Sequence, residues 1–154
     1  MKENLQFELA TYTLDESAFP IPSEDNYDFW EPLMKYYHEQ SDTIEIHCWN
    51  EETETVEEAK RTFNQFEISY EYELTYFKGK ISSDVIDYLL YNSVKKNGEF
   101  KWFSTFLEIQ SKSIFHTGHW ATEFFAPNIS QEEIKFIKSV MPTSTNFNQY
   151  QDEI

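Results

Sequence analysis

The strongest constraint on the fold is the alternation of side chains between residues 67 and 80, which read EISYEYELTYFKGK. One parity carries apolar and aromatic side chains, at Ile68, Tyr70, Tyr72, Leu74 and Tyr76, and the other carries polar ones, at Glu67, Ser69, Glu71, Glu73 and Thr75. A period of two residues is typical of a β-strand with one packed and one solvated face. The sequence therefore predicts a single strand here, with a row of three glutamates facing water or a partner.

Similar patterns predict further strands and helices. Alternating side chains predict strands over residues 4–13 and 43–49, and the dense β-prone residues of 100–125 predict two antiparallel strands. Helical spacing predicts helices that begin near residue 30 and after the capping residues Thr55, Ser82 and Ser130. The mixture of helices with at least one hairpin predicts an α+β domain of two layers, with a mixed or antiparallel sheet of about five strands and three to four helices.

Chain length and composition favour one folded unit. Residues 1–142 are predicted to form a single globular α+β domain, and the polar residues 143–154 (TSTNFNQYQDEI) are predicted to form a loose tail. Hydrophobic residues make up 40% of the chain and aromatic residues 18%, which is too many core-forming side chains for a disordered acidic protein.

The cysteine content and the N-terminal residues favour a cytosolic location. Cys48 is the only cysteine, so an internal disulfide bond is excluded. The first residues, MKENLQFELATYTLDE, carry charges where a signal peptide has an apolar core, and no apolar run approaches the roughly 18 residues of a membrane helix. We therefore expect a reducing, cytosolic environment and no association with a membrane.

The net charge of −16 is distributed unevenly along the chain. Residues 1–77 contain 19 acidic and four basic residues, whereas residues 78–154 contain nine acidic and eight basic residues. A negative field repels nucleic acid and anionic lipid and attracts basic surfaces. The charge therefore predicts no nucleic-acid partner and favours a basic protein as the partner, although an acidic composition also serves solubility.

Motifs for cofactor binding and nucleophilic catalysis are missing from the sequence. Gly79, Gly98 and Gly118 lie too far apart to form a phosphate-binding loop, and no G-x-S-x-G motif is present. His47 and Cys48 are adjacent in a predicted strand, so their side chains point to opposite faces, and Cys48 is expected to be a buried core residue. The sequence predicts no catalytic residue and no cofactor.

The segment HTGHW, at residues 116–120, is the one polar cluster that suggests metal or acid–base chemistry. A bulge at Gly118 would bring His116 and His119 to one side of a strand, where Glu123 or His47 would complete a metal site. The alternative is that both histidines are ordinary sheet residues that hydrogen-bond in or beside the core. A small-ligand-binding or metal-dependent enzyme centred on His116 and His119 is therefore the second functional hypothesis.

The acidic residues of the first half supply the leading functional hypothesis. A cluster just before the predicted strand extends its glutamate row into a broad negative surface, with predicted partner-binding residues Glu51, Glu52, Glu54, Glu57, Glu58, Glu67, Glu71 and Glu73 and aromatic anchors Trp49 and Trp30. The competing interpretation is a solvated face neutralised by lysines such as Lys101 or Lys112. The sequence favours a non-enzymatic binding protein for a basic partner, of the inhibitor or immunity type, and leaves its oligomeric state open.

Overall fold

The fold was obtained as a computed structural model that describes residues 2–152. Over that range the chain forms ten strands, which are β1 (Glu3–Glu8), β2 (Thr11–Tyr12), β3 (Ile21–Pro22), β4 (Thr43–Trp49), β5 (Glu67–Glu71), β6 (Leu74–Lys80), β7 (Ser104–Ile109), β8 (Lys112–Gly118), β9 (Glu123–Ile129) and β10 (Asn146–Tyr150). It also forms four helices, which are α1 (Trp30–His38), α2 (Thr53–Thr62), α3 (Ser83–Tyr91) and α4 (Gln131–Val140). The predicted α+β class is confirmed.

Eight of the described strands form one antiparallel sheet in the order β10-β1-β9-β8-β7-β4-β6-β5, and β2 and β3 form a separate pair. The prediction of about five strands is wrong. Residues 67–80 form two strands instead of one, the aromatic-rich region continues into β9, and residues 146–150 add an edge strand. Of these additions, the edge strand at residues 146–150 pairs with β1 at the other end of the chain, and local sequence patterns do not record such a contact.

The helices cover one face of the sheet. Alternate residues of β4, including Ile44 and Ile46, are fully buried beneath this helical layer. Tyr37 of α1 stacks on Phe115 of β8 with ring centroids 4.2 Å apart, and Phe63, just after α2, contacts Phe77 of β6. The opposite face of the sheet has no helical layer among the described residues and carries half-buried rings.

Residues 67–80 form a hairpin that reverses at Tyr72 and Glu73. The strand β5 pairs with β6 so that Glu71 faces Leu74 and Ile68 faces Phe77. The prediction of a single strand with one apolar face is therefore wrong. The turn shifts the parity, and Tyr76 comes to lie on the uncovered face of the sheet while Phe77 enters the core.

The two ends of the chain meet at the other edge of the sheet. The strand β10 pairs antiparallel with β1, and Phe7 faces Phe147 in this register. The polar composition of residues 143–154 did not predict this strand. Phe147 packs against the core, and backbone pairing with β1 along residues 146–150 holds the strand in the sheet.

Local capping signals predicted two of the helix starts. The side chains of Ser82 and Ser130 accept hydrogen bonds from the backbone N–H groups of Val85 and Glu133. The capping box expected at Thr55 is wrong, because α2 begins at Thr53 and Thr55 lies buried inside the helix. None of the helices within residues 2–152 is both long enough and apolar enough to cross a membrane.

Candidate partner-binding surface

A small notch lies where the end of β4 meets the turn of the β5–β6 hairpin. We call it the Trp49 notch; it is lined by Trp49, Asn50, Glu51, Tyr72 and Glu73. The backbone N–H of Asn50 donates to the carbonyl of Glu73 over 2.8 Å, which joins the two segments. The notch has a volume of about 260 Å³, below the roughly 300–1,000 Å³ of small-molecule sites, and it suits a single inserted side chain.

Tyr72 occupies an unusual backbone conformation at the tip of the hairpin. Its φ of 56° lies in the left-handed region, where glycine and asparagine are favoured and a bulky L-residue is strained by about 1–2 kcal/mol. Its side chain is 94% exposed, so packing within the chain does not offset that strain. Strained residues of this kind cluster at functional positions, and Tyr72 is the most conspicuous residue of the notch.

Two carboxylates at the Trp49 notch are free of partners within the chain. Glu51 and Glu73 are both exposed, and over residues 2–152 neither side chain forms an ion pair or a side-chain hydrogen bond. Glu54, in the first turn of α2, is exposed in the same way. These groups, with the rings of Trp49 and Tyr72, provide the elements that bind a lysine or arginine side chain, which are negative charge and aromatic faces.

Two other carboxylates of the predicted cluster are committed to lysines of the same chain. Glu58 accepts hydrogen bonds from Lys101 over 2.5 Å and from the hydroxyl of Tyr88 over 2.6 Å. Glu52 accepts from Lys95 over 2.8 Å and from the indole N–H of Trp120 over 3.2 Å. Lys101, expected to neutralise the strand glutamates, thus pairs with the α2 cluster instead.

The environment of Glu58 shows that this pairing is structural. Partial burial by itself would raise the pKa of its carboxyl, but the hydrogen bonds from Lys101 and Tyr88 and the charge of Lys101 outweigh burial and lower the pKa. The Lys101 side chain is only 11% exposed, and its ammonium group also lies 5.3 Å from the centre of the Tyr88 ring. Glu58 therefore neutralises a largely buried cation.

The remaining predicted glutamates have different neighbours, and only Glu57 forms an ion pair within the described residues. Glu57 lies 3.7 Å from Lys60 along α2, and Glu67 faces Lys78 across the hairpin. Glu71 lies beside Tyr76, where burial and the nearby carboxylate raise the pKa of the Tyr76 hydroxyl. The continuous glutamate row thus divides into the strand residues Glu67 and Glu71 and the turn residue Glu73.

The two predicted tryptophan anchors differ sharply in how far they are buried. Trp49 is half-buried at the base of the notch and contacts Phe103 edge-on, with ring centroids 5.3 Å apart. Trp30 is 1% exposed, and its indole N–H donates to the carbonyl of Leu89 over 2.8 Å. Trp30 holds α1 against α3 within the core and does not reach a partner, so its prediction as an anchor is wrong.

A larger cleft of about 720 Å³ adjoins the notch, with Glu51 lining both. Its walls are the start of α2 and the segment of residues 92–101, and they carry both signs of charge. Lys95 and Lys101 are already held there by Glu52 and Glu58. The cleft is polar and ion-paired, unlike the apolar pockets that bind most small ligands.

The two histidines of the second hypothesis occupy separate environments. A left-handed turn at His119, Trp120 and Ala121, in place of the expected bulge at Gly118, carries His119 out of the sheet, where its Nδ1 lies 2.6 Å from Glu123. His116 stays in β8 between the rings of Phe106 and Phe125, and burial lowers its pKa.

Within residues 2–152, no group of three or more His, Cys, Asp or Glu side chains is arranged to hold a metal ion. On the uncovered face of the sheet, the His47 ring stacks on Tyr76 with ring centroids 3.8 Å apart, and its Nε2 forms a hydrogen bond with the carboxylate of Glu45. Cys48 lies on the other face, fully buried, and its burial raises the pKa of the thiol to about 12. The expectation that Cys48 is a core residue is confirmed.

Three lining residues of the notch, Trp49, Glu51 and Glu73, are among the predicted partner-binding residues, whereas Asn50 and Tyr72 are not. The alternation predicts a packed strand face for Tyr72, because it continues through the turn without a glycine, proline or asparagine to interrupt it.

Compared with protein-family models, curated proteins and solved structures, the chain matches none of them.

Proposed function

We propose that this chain is a non-enzymatic binding protein that engages a basic partner protein through the Trp49 notch and the acidic residues around it. Covering a basic surface blocks whatever that surface does, so the natural form of the function is inhibition, as in an immunity-type protein. The single buried cysteine and the lack of disulfide bonds support a reducing, cytosolic setting for this pairing.

The observation that carries the proposal is the exposed and strained Tyr72 beside two carboxylates without partners. The ring of Tyr72 is 94% exposed and its backbone is left-handed, so packing within the chain does not offset the strain that glycine or asparagine would relieve. A lysine or arginine inserted into the notch would meet the carboxylates of Glu51 and Glu73 and the faces of the two aromatic rings.

Long-range electrostatics support the same partner class. The excess negative charge of the first half speeds the approach of a basic protein, and screening by salt reduces this attraction. Glu52, Glu57 and Glu58 contribute less to that field because lysines of the chain lie against them. The field near the notch is instead set by Glu51, Glu54 and Glu73.

The test compares the wild type with the double variant Glu51→Lys plus Glu73→Lys. Each is immobilised and used to capture proteins from lysate of the source cells at about 50 mM and about 300 mM salt. We expect the wild type to retain a basic protein at low salt and to release it at high salt, and the variant to retain none of it.

A matched control is the double variant Glu39→Lys plus Asp87→Lys, which changes the net charge equally. Both residues are exposed, Glu39 just after α1 and Asp87 in α3, on the helical side of the molecule. The control should capture the same protein as the wild type. Equal loss in both variants would mean that net charge alone governs binding, and equal retention in all three would contradict the proposal.

A further inference from the structure

The strand β5 forms an edge of the main sheet with no covering element. It pairs with β6 on one side, and over the described residues no strand, helix or loop pairs with its other side. All five of its residues are exposed, including Ile68 at 39% and Tyr70 at 64%. It also lacks the proline, lysine or bulge by which sheet edges commonly resist pairing with another chain.

The hydrogen-bonding pattern shows which backbone groups of β5 are free. The N–H of Asn50 donates to the carbonyl of Glu73 and the N–H of Ile81 to the carbonyl of Asp42, which extends the β4–β6 ladder at both ends. In an antiparallel ladder every second residue forms backbone hydrogen bonds to a given neighbouring strand. The backbone groups of Thr75 and Phe77 therefore hydrogen-bond to β4, and those of Tyr76 and Lys78 hydrogen-bond to β5.

It follows that the backbone N–H and C=O groups of Ile68 and Tyr70 point away from the sheet. The residues that bond inward to β6 are Glu67, Ser69 and Glu71. The free edge thus offers two donors and two acceptors to an added strand, with apolar side chains on one face and two carboxylates on the other.

We infer that β5 pairs antiparallel with an extended segment of the partner in which basic and apolar residues alternate. This inference rests on the proposed function and specifies the form of its partner. Basic side chains of such a segment would lie beside Glu67 and Glu71, and apolar ones beside Ile68 and Tyr70. The added strand would end next to Tyr72, so that strand pairing and the Trp49 notch form one continuous surface.

The opposite edge of the sheet provides an internal comparison. The strand β10 has the sequence NFNQY and carries no charged side chain. A basic segment therefore finds complementary charge at β5 and none within β10.

The probe for this inference is a seven-residue peptide of alternating lysine and valine, blocked at both ends, with a block peptide of the same composition as control. We expect the alternating peptide to bind and to slow hydrogen exchange at the amides of Ile68 and Tyr70, with no change in β10. Methylating the backbone nitrogens of its valines should weaken binding about tenfold or more, and methylating those of its lysines should not.

A variant of the protein tests the same bonds from the other side. Ile68→Pro removes one outward N–H at an edge position where proline is tolerated, and Ile68→Thr keeps that N–H. We expect the first variant to lose affinity for the alternating peptide about tenfold and the second to lose much less.

The outcomes separate this inference from the proposed function. Equal binding of the alternating and block peptides, without protection of Ile68 and Tyr70, would overturn strand pairing and leave the acidic surface as a binding site. Binding of neither peptide would overturn strand pairing and also weigh against a basic partner. Protection at β10 in place of β5 would overturn the choice of edge.

Discussion

Carboxylates of two kinds lie close together around α2, and the difference between them separates structure from function in this molecule. Glu58 and Glu52 are held by lysines and ring N–H or O–H groups, and they fix α2 to the segment that carries Lys95 and Lys101. Glu51 and Glu73, at the Trp49 notch, hold nothing within residues 2–152. Acidic composition is therefore an incomplete guide to an acidic binding surface, because pairing within the fold decides which charges are available.

The largest effect on stability is expected from Glu58→Gln. This change leaves the largely buried ammonium group of Lys101 without its counter-charge, and it weakens the bond to Tyr88. We expect the free energy of unfolding to fall by about 2 kcal/mol, less than the roughly 3–5 kcal/mol of a fully buried pair because Glu58 is partly exposed. Chemical denaturation measures this change. A decrease in the free energy of unfolding of less than about 0.5 kcal/mol would show that Glu58 is not a structural residue.

The stabilisation that Glu58 provides should depend on pH. The pKa of Glu58 is lowered in the folded state, so its contribution is complete above the ordinary carboxyl pKa of 4.5 and is lost as the pH falls through the lower folded value. The difference in unfolding free energy between the wild type and Glu58→Gln should therefore be constant near neutral pH and shrink below about pH 4.5. A difference that grows on acidification would contradict this assignment.

The smallest effect on stability is expected from Glu51→Gln combined with Glu73→Gln. Neither side chain has a partner to lose within the described residues, so the free energy of unfolding should change by no more than about 0.5 kcal/mol. Partner capture should nevertheless weaken, and its dependence on salt should become shallower. If this variant unfolded as readily as Glu58→Gln, the two kinds of carboxylate would not differ as proposed.

Features encoded within a few residues were predictable from the sequence. The caps at Ser82 and Ser130, the strand at 43–49 and the burial of Cys48 follow from local patterns, and the structure contains all of them. The hairpin turn at Tyr72 was not predictable, because a tyrosine in the left-handed region breaks the rule that turns use glycine or asparagine.

Features that depend on distant residues were missed for a different reason. The strand β10 exists through its backbone pairing with β1, at the far end of the chain. The pairing of Glu58 with Lys101 and of Glu52 with Lys95 joins residues 43 positions apart in each case. The acidic cluster could be found in the sequence, but its division into neutralised and available members required the fold.

Two measurements on Tyr72→Asn show whether the hairpin turn serves a partner or the fold. Asparagine tolerates the left-handed conformation, so the variant should unfold with a free energy up to about 1 kcal/mol higher than the wild type. Loss of the exposed ring should at the same time reduce capture of the basic partner. A more stable protein that binds less well is the predicted result, and undiminished capture by Tyr72→Asn would contradict the claim that the hairpin turn is built for a partner.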